Sequence, residues 1–228
     1  MKILYEDNHI IAVNKESSQI VQADKTGDKP LSDLVKQYIK QKYNKPGDVF
    51  LGVVHRLDRP VSGVVVFAKT SKALGRMNEL FRSRDVKKIY WAIVKDLPHS
   101  SQDKIQHYLV RNRKQNKSYA YDSMVKDSKL AKLSYNLMGN SDNYYLLEIQ
   151  LETGRHHQIR CQLAKIGSPI KGDLKYGFPR SNPNGGISLH AAYIEFVHPV
   201  SKKLIQIKAA PPQDDTLWQV MQGFTDVS

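Results

Sequence analysis

The chain has 228 residues, 40% hydrophobic and 25% charged, with 35 Lys and Arg against 22 Asp and Glu and a formal net charge of +13. Its one cysteine, Cys161, excludes an internal disulfide framework. No apolar run approaches the roughly 20 residues needed to cross a bilayer, and "MKILYEDNHI" turns acidic before any leader-like apolar stretch. A soluble, cytoplasmic protein with no membrane association is expected, and the basic surplus suits a polyanionic partner whose phosphates release counterions on binding.

Two short strands open the chain, "KILYED" and "HIIAVNK", joined at Asp7-Asn8. After the break at Gly27 and Pro30, the spacing of Leu31, Leu34, Val35, Tyr38 and Ile39 predicts an amphipathic helix over residues 31 to 43. "GVVVFAK", residues 63 to 69, is short, rich in β-branched residues and nearly all apolar, as an interior strand is. Ser71 is the expected cap of the next helix, whose core face is Leu74, Met77 and Phe81. "VKKIYWAIV" follows as a strand, and then "KIQHYLV", "KSYAYDS", "LAKLSYNLM" and "YYLLEIQL" read as an antiparallel series. Between the first two of that series lies the cationic loop "RNRKQNK".

"TGRHHQIRCQLAKIG" is predicted as a helix with Ile159, Leu163 and Ile166 on its apolar stripe and Gly167 just past its end. The strands "ISLHAAYIEFV" and "KLIQIKAA" and a helix near 214 to 222 complete the chain. Hairpins outnumber βαβ units, so the class is α+β with a mixed, largely antiparallel sheet flanked by helices and loops. No internal repeat or linker divides the chain, and residues 1 to 228 are read as one domain.

Two stretches carry chemistry. In "VVHRLDRPVSGVVVFAKT", residues 53 to 70, His55, Arg56, Asp58 and Arg59 interrupt an apolar ladder. Unpaired charges do not belong in a strand core, because desolvating one costs several kcal/mol or more. A carboxylate between two arginines serves better as a nucleophile, a base or an ion-pair anchor than as a general acid. A satisfied loop ion pair is the structural alternative. In "GRHHQIR", Arg155, His156, His157 and Arg160 fall in the first turns of the predicted helix. The dipole there disfavours cations, so these groups call for an anion, either Asp58 or a phosphate. A metal is not expected at His156 and His157, since three or four convergent ligands are missing. Phosphate-binding glycine loops and a GxSxG elbow are also absent.

The order and separation of "HRLDRPVSGVVVFAK", "KKIYWAIV", "TGRHHQIRCQLAKIGSPIKGDLKYG" and "LHAAYIEFVHPVSKK" resemble the catalytic domain of the RluA-type pseudouridine synthases, from about Tyr5 to Pro212. The resemblance implies isomerisation of uridine in RNA, with no cofactor and no metal: the bond to N1 breaks, the base turns, and C5 rejoins the sugar. On it, Asp58 matches the catalytic aspartate, Tyr90 the tyrosine that stacks on the target base, and Arg160 the basic partner of the aspartate. Leu189 matches an apolar residue lining the base pocket. Arg56, Arg59, Lys87, Lys88, Arg155 and the "RNRKQNK" loop are candidates for gripping phosphates, and His55 and His157 for ordering the active-site loop. The chain is expected to lack a separate S4-type RNA-binding module and to act as a monomer on a stem-loop of tRNA or ribosomal RNA.

Three positions depart from the family pattern. Val61 stands where threonine is common, "NKESSQIV" replaces the usual NKP, and His156 replaces a smaller polar residue. The rival readings are a non-catalytic RNA-binding or assembly protein on the same scaffold and a hydrolase acting on an acidic substrate.

Overall fold

The computed structural model describes residues 1–225. Strands β1 (Lys2–Glu6) and β2 (Ile10–Lys15) form a hairpin, followed by helix α1 (Leu31–Lys42) and the two-residue strand β3 (Gly52–Val53). Next come β4 (Ser62–Ala68), α2 (Ser71–Ser83), β5 (Val86–Val94), β6 (Gln102–Asn112) and β7 (Lys117–Tyr121). The series continues through β8 (Lys129–Asn140), β9 (Tyr145–Leu151), α3 (Gln158–Lys165), β10 (Leu189–Val197), β11 (Leu204–Lys208) and α4 (Thr216–Gln222). All eleven strands join one sheet in the order β1-β2-β4-β10-β5-β9-β8-β6-β7, with β11 on β10 and β3 on β4.

Among the described residues β4 and β10 form the one parallel pair, His190 opposite Ser62 and Ala191 opposite Gly63. The expected antiparallel series runs unbroken from β5 through β9, β8 and β6 to β7. Alternation in β2 and β4 builds two core layers. Ile11, Val13, Val65 and Phe67 meet Leu31, Val35 and Ile39 of α1 and Ile159 and Leu163 of α3. Ile10, Ala12, Val64 and Val66 meet Met77 of α2 and Phe196 and Ile207. Because β4 is covered on both faces, it reads as a continuous apolar run rather than an alternating one.

The β4–β10 junction is where the site is anchored. Gly63 has φ of 119°, and a Cβ there would sit 2.3 Å from the carbonyl oxygen of Ala191, so only glycine lets the two backbones approach this closely. Beside it the hydroxyl of Ser62 meets Nδ1 of the buried His190 at 2.9 Å, while His190 Nε2 meets the Ala209 carbonyl at 3.0 Å. A carbonyl only accepts, so Nε2 carries the proton and the serine donates to Nδ1.

Two predicted boundaries shift. The cap of α2 is Thr70, whose Oγ1 accepts the Ala73 N–H at 3.2 Å, and Ser71 is the first helical residue. Helix α3 starts at Gln158, so Arg155 and His156 precede it and His157, with φ of 52°, is its N-cap. The cause is Gln158 itself. Its Oε1 accepts from Arg155 N at 2.9 Å and Thr153 Oγ1 at 2.8 Å, closing a tight turn where the helix was expected to begin. Gly167, with φ of 85°, ends the helix as predicted.

Candidate active site

Asp58 sits in the loop from β3 to β4, and that loop is held from several sides. His55 Nε2 accepts the Val66 N–H of β4 at 3.0 Å, and its ring stacks on Phe81 of α2 with centroids 4.9 Å apart. Burial, with Lys88 nearby, pushes the His55 imidazole down to about 3, so the ring is neutral and the proton lies on Nδ1. Beneath the loop Lys15 is fully buried at the end of β2, its Nζ donating to the carbonyls of Glu16 at 3.0 Å, Arg59 at 3.0 Å and Val61 at 2.5 Å. Pro60 accepts from Ile187 N at 2.9 Å, and Val61 N donates to the Asp58 carbonyl at 3.0 Å. Val61 is buried in the core with Leu57 and Leu189, so the turn is closed through its backbone and its side chain is used for packing.

Arg160, in the first turn of α3, reaches two carboxylates. Its Nε and Nη2 form a fork on Asp173, at 2.6 and 2.9 Å, while Nη1 meets Asp58 Oδ2 at 3.1 Å. Burial opposes the charge of Arg160, but the hydrogen bonds and charge of Asp173, then those of Asp58, outweigh it and hold the guanidinium above its ordinary range. His157 Nε2 lies 3.5 Å from the same Oδ2. Burial drives the His157 imidazole down to about 3 despite the nearby Asp58 charge, so it is neutral at physiological pH. Both nitrogens thus face one oxygen of Asp58, whose carboxylate is 30% exposed. Oδ1 has no hydrogen-bond donor among the described residues.

These groups line a cleft of about 610 Å³, with His55, Arg56, Asp58, Tyr90, Arg155, His157, Arg160 and Leu189 in its walls. That volume is of the size that takes a small organic group with a few fixed polar contacts. Tyr90 stands on β5 opposite Ala191 of β10. Burial first, then the charge of Asp58, raises its phenol above the ordinary tyrosine range, so its hydroxyl stays protonated. Lys88 also lines the cleft, with its ammonium 5.9 Å from the Phe81 ring centroid.

Two of the sequence candidates lie elsewhere. Arg59 is turned to Asp28, at 2.6 Å, and does not line the cleft. Lys87, adjacent to Lys88 on an alternating strand, points away, its ammonium 6.0 Å from the Tyr193 ring centroid. His156 and His157, expected in the first turns of the helix, precede it instead, and their rings stack with centroids 3.8 Å apart.

The structure adds residues that were not singled out. Asp173 and Tyr176 come from "KGDLKYG" and Lys15 from "VNKESS". Arg82 and Arg84 line the cleft at the end of α2 beside Phe81, which the sequence assigned only to a helix core face, and from the candidate stretch "RNRKQNK" Arg111 lines it as well. Asp173 needs a cation because it is buried, and only the fold shows that burial.

The RNA pseudouridylate synthase family matches residues 9–165, more than half of the chain. The chain belongs to this family of RNA pseudouridine synthases. It is 32% identical to the ribosomal large subunit pseudouridine synthase D of Zymomonas mobilis subsp. mobilis, over 94% of this chain and 70% of that one. Identity to the tRNA pseudouridine synthase C of Vibrio cholerae is 29%, over 96% of this chain and 93% of that one. The human RNA pseudouridylate synthase domain containing 4 shares the fold, with a TM-score of 0.78 and 24% identity over 93% of this chain and 89% of that one. As a pseudouridine synthase the chain is an enzyme that isomerises uridine to pseudouridine, and the α+β class with a mixed, largely antiparallel sheet is the family's own.

Proposed function

We propose that the enzyme acts on a uridine in a folded stem-loop of tRNA or ribosomal RNA, turned out of its stack into the cleft between Asp58 and Tyr90. The observation that carries this reading is the state of Asp58. It is a partly exposed carboxylate with two nitrogens on Oδ2 and none on Oδ1, set in a cleft beside an aromatic side chain. In this reading Oδ1 is the oxygen that works on the ribose or the uracil, as nucleophile or base, while Arg160 fixes the orientation of the carboxylate. The reaction is an isomerisation and balances within the substrate: the bond from C1′ to N1 breaks, the bond from C1′ to C5 forms, and the proton on C5 leaves for N1.

Extruding the base costs a few kcal/mol, and stacking on Tyr90 returns on the order of 1–3 kcal/mol. Phosphate contacts supply the remainder, and Arg56, Arg82, Arg84, Lys88, Arg111 and Arg155 surround the cleft in a way that suits them. His55 orders the loop rather than touching substrate, since its Nε2 is already occupied by Val66.

The test is Asp58→Asn. It is expected to reduce isomerisation by at least about 1,000-fold, a loss on the scale of removing a principal catalytic group, while RNA affinity changes little. Pseudouridine mapping of tRNA and ribosomal RNA from cells carrying wild type, the variant or no gene identifies the target. A variant that converts uridine at the wild-type rate overturns the role of Asp58.

A further inference from the structure

We propose that Tyr176 is a positioning residue for Asp58, acting through the tautomer of His157. This rests on the reading of Asp58 given above.

The Tyr176 hydroxyl receives the backbone N–H of Ser118 at 2.8 Å and lies 3.0 Å from His157 Nδ1. A phenol has one proton to give, and among the described residues His157 Nδ1 is the acceptor within reach of it. The phenol keeps that proton, because burial raises it above the ordinary tyrosine range. Nδ1 is therefore the unprotonated nitrogen, and the neutral ring carries its hydrogen on Nε2. A second argument reaches the same tautomer. Nε2 lies 3.5 Å from Asp58 Oδ2, where an N–H is attracted to the carboxylate and a lone pair is repelled. At 3.5 Å the contact is longer than a formed hydrogen bond, and a movement of a few tenths of an ångström on substrate binding closes it.

The backbone shows that the ring is held in place for this. His157 adopts φ of 52°, a left-handed conformation that non-glycine residues seldom take and that the surrounding structure must enforce. Its ring is clamped between the His156 ring, at 3.8 Å, and the edge of Tyr176, at 5.7 Å. Tyr176 also lies beneath Arg160, whose guanidinium carbon is 5.2 Å from the phenol ring centroid. One tyrosine thus supports both nitrogens that face Asp58: one through its hydroxyl, the other through its ring.

Tyr176→Phe separates these functions, since it keeps the ring and removes the hydroxyl. The direct readout is the ¹⁵N shifts of the His157 ring. In wild type Nδ1 is expected at an imine-like shift and Nε2 at a pyrrole-like one, and in Tyr176→Phe the two are expected to move toward each other as the Nδ1–H tautomer gains population. In single-turnover conversion of the RNA target the same variant is expected to be about 10-fold slower, the scale of one lost hydrogen bond, with RNA affinity unchanged. His157→Gln, which keeps a side-chain N–H near the Nε2 position, is expected to lose less than His157→Ala. The double variant with Tyr176→Phe is expected to fall no further than His157→Gln alone. A wild-type proton on Nδ1, or a Tyr176→Phe enzyme with unchanged rate, overturns the proposal. The wild-type spectrum needs neither turnover nor a variant, so it reports on the tautomer separately from the Asp58→Asn result.

Discussion

Asp58 and Asp173 share Arg160, yet their surroundings divide their roles. Asp173 is almost fully buried with both oxygens engaged by the guanidinium, while Asp58 keeps one oxygen free and is partly exposed. The first is an anchor and the second is available to a substrate. Removing the anchor leaves a buried guanidinium whose remaining carboxylate contact is Nη1 on Asp58. Asp173→Ala is therefore expected to destabilise the fold by about 3–5 kcal/mol, the usual cost of breaking a buried pair from one side, as measured by urea unfolding. Its surviving folded fraction should also be slower in turnover, because Arg160 is then free to swing from Asp58. Asp58, Arg160 and Tyr90 were singled out by the family resemblance that the quoted motifs carry. Asp173 was not, since its importance comes from a loop that returns beneath α3.

At the scale of elements, the loop from residue 55 to 61 has little secondary structure and is positioned by contacts from β2, β4 and α2. Lys15 is the central one, with its three N–H groups matched by three carbonyls. Burial lowers its ammonium from 10.5 to about 7, against the opposing pull of Asp58. The unfolded chain therefore binds a proton that the folded chain has shed between pH 7 and 10.5, so Lys15's contribution to stability rises with pH across that window. It is fully present above 10.5 and lost as pH falls through about 7. Urea unfolding at pH 7 and pH 9 is expected to show wild type gaining on the order of 1–3 kcal/mol relative to Lys15→Met. Equal pH dependence of the two proteins counts against a depressed Lys15. A lysine at the end of "HIIAVNK" reads from sequence as a solvated strand end, and only the loop folded over it makes it buried.

At the scale of the whole molecule, the net charge of +13 is a statement about the partner and not about the fold. Cations reach the cleft from three directions: Arg56 in the loop from β3 to β4, Arg82 and Arg84 at the end of α2, and Arg111 and Arg155 near β6 and α3. RNA affinity is expected to fall linearly as log Kd against log salt, and each of Arg84→Ala, Arg111→Ala and Arg155→Ala should flatten that slope by roughly 0.7–0.9. Arg59→Ala and Lys87→Ala, outside the cleft, should leave it nearly unaltered. A slope insensitive to all three cleft variants would place the RNA on another face.

Local pattern determined the α+β class and nearly every strand and helix, because these depend on periodicity, while the resemblance carried by four motifs in order pointed to the family and singled out Asp58, Tyr90 and Arg160. Tertiary structure alone decided that Arg59 and Lys87 face away, that α3 begins at Gln158, and that Asp173, Tyr176 and Lys15 support the site. Each of those outcomes depends on which distant backbone or side chain lies within hydrogen-bonding reach, and chain order carries no record of that distance.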